Sequence, residues 1–470
     1  MKLNHISFFL SFIFFIFLSA CGVSQRHYQH VETNLSQKNY KKAEKIIKDS
    51  KKVEYGKKNA LLYYLNLGWV YHLDNNHRDA QAVLDEADNE IRELFTKKTS
   101  DDIASFIGND NNLPFRGEDF EKIMLSIIRT LDFAVQDKLD SARVEVMKVD
   151  NRMNFLNQQR QNKKATYTED AFAHYLSGLI YESDNEYNDA YISYFKAYKF
   201  YKRYQRKYGK EYLRKRYIGG NYDRRSVNAY INQYARSYNI KVPYFIKKAL
   251  KRLMKKYARS GDLQKLEKEL ANIEEVTEAE YQKMGQFVFV HYNGYAPKKV
   301  PIRFSINPRN HRNLTTSIHM EYPTFKLRYH EVAYAKVSIN GQTYTTDIVQ
   351  PIDRIAVVDL MDRIGGIFAK MVARRVAKYI ASQASGAATE NKNVALFANI
   401  ASNVSEQADL RSWRILPAEI GMIPISLPEG TYSAKVTFHS ISGRVLETTT
   451  INDIKISPNK KIFKTYRTVR

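Results

Sequence analysis

Apolar residues recur at helical spacing from Arg26 to about Ile273 with almost no strand-like alternation, and after Glu280 that spacing stops. Outside about 352–408, the remaining residues form a series of short apolar runs separated by turn dipeptides. Phe287-Val288-Phe289-Val290 suits a buried strand, and Asn293-Gly294 comes after it as a turn. Val332 to Ile339, Asn340-Gly341 and Gln342 to Val349 spell a hairpin. The tail adds Thr431 to Phe438, a turn at Ser442-Gly443, Val445 to Ile451 and Ile462 to Val469. Strand signals at this density predict a β-sandwich-like domain over residues 281–470. The expected fold class is therefore α+β and multidomain, with an all-α part first.

Within the helical part a pattern repeats. Tyr64, Leu67, Gly68, Tyr71, Ala80, Leu84 and Ala87 have the offsets of a tetratricopeptide (TPR) hairpin, with Arg92 where the closing Pro is usual. Gly178, Tyr181, Ala190, Tyr194 and Ala197 occupy the same offsets. Weaker copies centre on Ala43 (Tyr40, Ile47) and on Ala142 (Phe133, Leu139, Val146), and the weakest is Tyr257-Gly261-Leu266-Leu270. Hairpins of this kind cannot bury their apolar faces alone, so residues 21–280 are expected to stack into a TPR-like superhelix. Unrelated helical hairpins are the plainer alternative. Between the two strand groups, about 352–408 reads as a helical insertion. Its first helix carries Gly366, Ala369, Ala373, Ala377, Ala381, Ala384 and Ala388 on one line, where a second backbone can approach closely. Val394 to Val404 is the expected intramolecular partner, and self-association is the alternative.

Ahead of the helices, Met1-Lys2-Leu3 and the apolar run Ile6 to Leu18 have the shape of a signal-peptide core, too short to span a bilayer comfortably. Leu18-Ser19-Ala20-Cys21 resembles a bacterial lipobox, in which signal peptidase cuts before an acylated cysteine. The resemblance implies a signal peptide over 1–20, a lipid on Cys21 and, with Gly22 rather than Asp next, sorting to the outer membrane. The body would then face the periplasm, with surface exposure as the alternative. An ordinary secretory signal with an incidental cysteine is the competing reading. Cys21 is the chain's only cysteine, so acylation leaves no thiol for disulfide, redox or metal chemistry.

The formal net charge is +24, and most of it is local. Lys196 to Lys256 holds twenty Lys or Arg against Glu211 and Asp223. In the same block Tyr191, Tyr194, Tyr198, Tyr201, Tyr204, Tyr208 and Tyr212 fall on one helical face, more typical of a core than of a ligand site. Candidate anion-binding residues are Lys202, Arg203, Arg206, Lys207, Lys210, Arg214, Lys215 and Arg216. Arg and Tyr together could bind single-stranded nucleic acid, but an exported protein meets lipid phosphates, anionic glycans and acidic proteins instead. No nucleic-acid partner is expected.

Several blocks are also familiar as a set. Phe115-Arg116-Gly117-Glu118-Asp119-Phe120-Glu121-Lys122-Ile123-Met124 with Ala142-Arg143-Val144-Glu145, Asn293-Gly294-Tyr295-Ala296-Pro297-Lys298-Lys299, and Asp409-Leu410-Arg411-Ser412-Trp413-Arg414-Ile415-Leu416-Pro417 occur in this order. Together with Phe172 to Gly178 they resemble a family of uncharacterised bacterial lipoproteins with TPR-like helices. Phe115 and Phe120 stand where Tyr is usual in it. The resemblance implies an envelope lipoprotein whose gene often neighbours lipoproteins related to the curli secretion channel, and it implies no enzymatic activity.

Catalytic sets are missing: there is no His-Glu-x-x-His, Gly-x-Ser-x-Gly, Gly-rich phosphate loop or Cys-His cluster. The eleven histidines are scattered, and His174 is expected to pack. No catalytic residue, metal site or cofactor is expected. Asp409, Arg411 and Trp413 form the best polar-aromatic cluster, read either as a recognition site or as an Asp-Arg pair covering a strand entry with Trp413 in the core. Gly294, Pro297 and Lys298 suit a rigid loop, with Lys298 solvated or gripping an anion. The expected function is a non-enzymatic scaffold in an envelope assembly or secretion complex, acting through protein contacts. The alternative is a binding module for anionic glycan or lipid headgroups through block 196–256.

Overall fold

The computed structural model describes residues 22–96, 111, 113–159, 167–209, 240–306, 318–388 and 407–470. Cys21, Lys210, Arg214, Lys215, Arg216 and the segment Val394 to Val404 lie outside the described residues. The helical part begins with four hairpins: α1 (Gln25–Ser36) with α2 (Tyr40–Asp49), α3 (Ala60–Leu73) with α4 (His77–Thr96), α5 (Asp119–Val135) with α6 (Leu139–Gln159), and α7 (Ala171–Ser183) with α8 (Tyr187–Lys207). Each helix packs on the next in chain order.

One turn geometry closes all four hairpins. Lys38, Asn75, Asp137 and Asn185 sit in the left-handed region at φ 58, 56, 57 and 62°. The amide after each reaches the carbonyl five residues back, as in Asn76 to Tyr71 at 3.0 Å and Glu186 to Tyr181 at 2.8 Å, which is a Schellman closure. Five residues beyond the left-handed position stands an alanine each time: Ala43, Ala80, Ala142 and Ala190, all at 0% exposure. Gly68 and Gly178 also occupy one equivalent position, where a methyl group would overlap Leu84 and Tyr194 across the hairpin. The pair α9 (Tyr244–Tyr257) and α10 (Ser260–Glu269) is different. Ala258 between them is extended, at φ −72° and ψ 142°, so the expected fifth copy lacks the turn that defines the other four. A short helix, α11 (Glu278–Gln282), leads into the strands.

The strands are β1 (Gly285–Asn293), β2 (Lys298–Ile306), β3 (Ile318–Lys326), β4 (Val332–Ile339), β5 (Gln342–Thr345), β6 (Asp347–Gln350), β7 (Glu419–Leu427), β8 (Gly430–Ser440), β9 (Val445–Ile456) and β10 (Lys461–Thr468). They form a first sheet in the order β10-β1-β7-β6, a second in the order β5-β4-β8-β9, and a ribbon of β2 and β3. The hairpin expected over 332–349 is corrected at its second arm. β5 pairs with β4, whereas β6 pairs with β7, so the chain changes sheet at Thr346, whose backbone N–H and side-chain hydroxyl both bond to Ala335. Strand β10 runs parallel to β1, a pairing that only a long excursion between them allows.

The two four-stranded sheets pack face to face through Phe287, Phe289, Ile425, Leu427, Val337, Val436 and Phe438. The opposite face of the first sheet, with Val288, Val290, Tyr292, Ile420 and Met422, joins the core of the helical hairpins. This explains the unbroken apolar run in β1: alternate residues enter two different cores, and all four from Phe287 to Val290 are at 0% exposure. Each such side chain contributes roughly 1.5–3 kcal/mol. The switch near residue 280 thus divides the helical hairpins from the sheets, while one apolar core runs through both. The insertion helix α12 (Ile352–Ala388) starts inside that core with Ile352, Ile355 and Ala356 and goes on to pack against β3 and α5.

Candidate functional site

The start of α5, the loop after β1 and the segment before β7 meet where the helices abut the first sheet. Gly117 turns the chain at φ +70°, leaving Glu118 to open α5. One oxygen of Glu121 accepts the Glu118 amide at 2.8 Å, and the other accepts the Trp413 amide at 2.6 Å. The Glu118 carboxylate pairs with Lys299 and Arg363. Burial acts to raise both carboxyls. At Glu118 the Arg363 and Lys299 charges outweigh it and hold the group well below the usual range. At Glu121 the Glu118 charge adds to burial and pushes the group well above it.

Asp409, Arg411 and Trp413 lie at this site, with Gly294 and Pro297 on the loop after β1 and Lys298 at the start of β2. Arg411 chelates Asp409 at 2.9 and 2.7 Å, and donates to Asn59 at 3.2 Å and to the Leu113 carbonyl at 2.9 Å. Trp413 is 1% exposed and belongs to the core. Gly294 holds φ +62°, and a Cβ there would lie 2.9 Å from His330, so no other residue fits without displacing that ring. Its carbonyl accepts from Arg467 at 3.1 Å. Pro297 is buried, and Lys298 is half-buried, its amine lowered by burial and by the Arg414 and Arg328 charges. Arg328 and Arg414 share Glu32 of α1.

Two neighbouring cavities open at this junction, of about 270 and 500 Å³. Arg116, Lys299, Arg363, Lys370, Arg374 and Arg411 border the smaller one against Glu118, Glu321 and Asp409, a positive surplus suited to an anionic guest. Gly22, Lys298, Arg303 and Arg414 border the larger one.

The basic block belongs to another region of the molecule. Tyr191, Tyr194, Tyr198, Tyr201, Tyr204 and Tyr208 are all buried; Tyr212 lies outside the described residues. Lys202 pairs with Glu269 at 3.0 Å, Lys248 with Glu274 at 2.7 Å, Arg252 with Glu182 and Glu278, and Lys255 with Glu275. Glu269, Glu274, Glu275 and Glu278, just after the block, thus each pair with one of its cations, and Glu182 ahead of it pairs with Arg252. Arg203 donates to the Thr168 hydroxyl at 3.0 Å, and Arg206 and Lys207 end α8, where its dipole favours cations.

Two groupings were not legible in the chain. Val144 and Met147 on α6 and Ile192 on α8 are large apolar side chains left 52, 52 and 42% exposed. Val144 and Ile192 stand seven residues past Asp137 and Asn185, at equivalent places in consecutive hairpins. Ion pairs Arg143–Glu186 and Lys196–Asp150 flank them. The repeat alignment, extended to outward positions, was the signal that could have found these residues. The second grouping is His72, His77 and Asp132, whose side chains converge from α3, α4 and α5. His72 and His77 have the spacing of a metal-ligand pair, but Asp132 stands 55 residues beyond His77, so no spacing rule joins all three. His174 is buried and stacks on Phe200 at 5.5 Å. Among the described residues no helix is long and apolar enough to cross a membrane. Compared with known proteins, the chain matches no protein-family model and no curated protein.

Proposed function

We propose that the chain is a lipid-anchored scaffold of the bacterial cell envelope, built on TPR-like hairpins, that holds another envelope protein against the outer face of α6 and α8. The observation that carries this reading is the exposed apolar set Val144, Met147 and Ile192, in register on consecutive hairpins and rimmed by ion pairs. An apolar centre with a polar rim is the anatomy of a protein interface. The lipobox-like Leu18-Ser19-Ala20-Cys21 and the resemblance to TPR-bearing lipoproteins supply the address, and a lipoprotein related to the curli channel is the class of partner that resemblance implies. The double variant Val144→Asp, Ile192→Asp changes exposed positions only. Affinity purification of the detergent-solubilised mature protein should recover one defined envelope partner, and the double variant should lose it with its circular dichroism unchanged. A wild-type protein that is solitary under the same conditions contradicts the reading.

A second reading rests on Gly22, which borders the larger cavity beside Arg411, where a Cβ added to it would lie 3.6 Å from the Arg411 side chain. Ser24 is already fixed by Glu54 at 2.7 and 2.9 Å. Only about 10 Å of chain then separates a lipidated Cys21 from the body. Lys298 and Arg303 would face anionic headgroups, in place of block 196–256. Lys298→Glu with Arg303→Glu should weaken binding to anionic vesicles at moderate salt. Unchanged binding excludes the cavity as a headgroup site.

A further inference from the structure

We propose that His72, His77 and Asp132 bind one transition-metal ion of the zinc class, a site separate from the partner-binding face. His72 ends α3, His77 begins α4, and Asp132 lies in the last turns of α5, so an ion there would staple two hairpins together. The Nδ1 atoms of His72 and His77 stand 2.9 and 2.7 Å from Asp132 Oδ1, and the three ligand atoms lie within 4.8 Å of one another. Two imidazoles and one carboxylate are a ligand set suited to zinc, cobalt or nickel, with a further position left for solvent.

The atoms behind these ligands are held as metal sites hold them. His72 Nε2 is 3.0 Å from the Tyr292 hydroxyl on β1. Asp132 Oδ2 accepts from Gln81 at 2.7 Å and from Gln136 at 3.4 Å. Outer partners of this kind fix ring orientation and tautomer. The Tyr292 hydroxyl serves either state. It accepts the Nε2 proton of His72 when Nδ1 carries the ion, and donates to Nε2 when Nδ1–H bonds to Asp132. Entry is from His77, whose side chain is 18% exposed against 1% for His72 and 0% for Asp132.

The test uses the whole mature protein in detergent, stripped with a chelator and titrated with zinc chloride against a chromophoric competitor, and separately with cobalt chloride. One zinc per chain is expected, with a cobalt absorption band of four- or five-coordinate intensity. His77→Gln, at a partly exposed position, should keep the fold and weaken zinc binding at least ~10-fold, and Asp132→Asn should do the same. Well under one equivalent of zinc on the wild-type chain overturns the proposal. So does equal affinity in the folded His77→Gln variant, which would place any bound zinc on other histidines.

Discussion

His291 is poorly placed to carry a charge. It lies in β1 at 2% exposure with Nε2 2.8 Å from the Thr468 hydroxyl, and burial, only partly opposed by Glu419, lowers its pKa to about 3. In the unfolded chain it protonates near its ordinary value of 6.5. The folded value is the lower of the two, so the unfolded state takes up the proton first as pH falls. His291 therefore supports folding fully above about pH 6.5 and loses that contribution on acidification toward pH 3, at about 1.4 kcal/mol per unit. Urea unfolding at pH 7.5 and pH 5 should show the wild type losing about 2 kcal/mol more than His291→Gln; parallel losses would contradict it. Gly178 is constrained by space rather than charge. Gly178→Ala drives a methyl into Tyr194 and should cost ~1–3 kcal/mol in the same assay, while Gly261→Ala, which meets no atom within 4 Å, should change little.

The hairpins and the motif loops show what the sequence could reveal about elements. Ala43, Ala80, Ala142 and Ala190 were visible because a close helix crossing demands a small residue, and all four are buried. The left-handed turn residues were not visible as a set, because Asn75, Asp137 and Asn185 are of the type that tolerates this conformation but Lys38 is not. Strands β2, β3 and β7 also escaped. Pro301 pairs with Pro323 across the ribbon, and Pro424 lies within β7 opposite Val288, so these sequences read poorly as strands. Among the motif residues, Asp409, Arg411, Trp413, Gly294, Pro297 and Lys298 stand out in the chain, yet the meeting of Trp413 with Glu121, and of Asp409 and Arg411 with Glu118 at one cavity, depends on long-range packing. Arg411 ties Asp409, Asn59 and Leu113 together. Arg411→Ala should cost about 3 kcal/mol by leaving those groups without their donor, whereas Lys298→Ala should cost under ~1 kcal/mol. Chemical unfolding of both variants separates a structural Arg411 from an expendable one.

At the scale of the molecule, the change of spacing near residue 280 identified helix and strand correctly and said nothing of how they join. The clue was Phe287 to Val290, an apolar run with no polar face, which a sheet covered on both sides requires. Because Val288, Val290 and Tyr292 belong to the helical core, the two parts should unfold together. Far-UV circular dichroism and fluorescence of Trp69 and Trp413, both buried, should give coincident urea transitions. Two separated transitions would mean independent domains. The same rigid union is what a scaffold needs if a partner docked on α6 and α8 is to be held at a fixed place relative to a lipid on Cys21. The direct measurement is crosslinking in intact cells from a photoreactive residue at position 147, with identification of the attached protein. A lipid-anchored scaffold should yield one envelope protein attached to the wild type and lost on both Val144→Asp with Ile192→Asp and Cys21→Ser. A chain that forms no crosslink, or forms the same one with Cys21→Ser, would contradict that role.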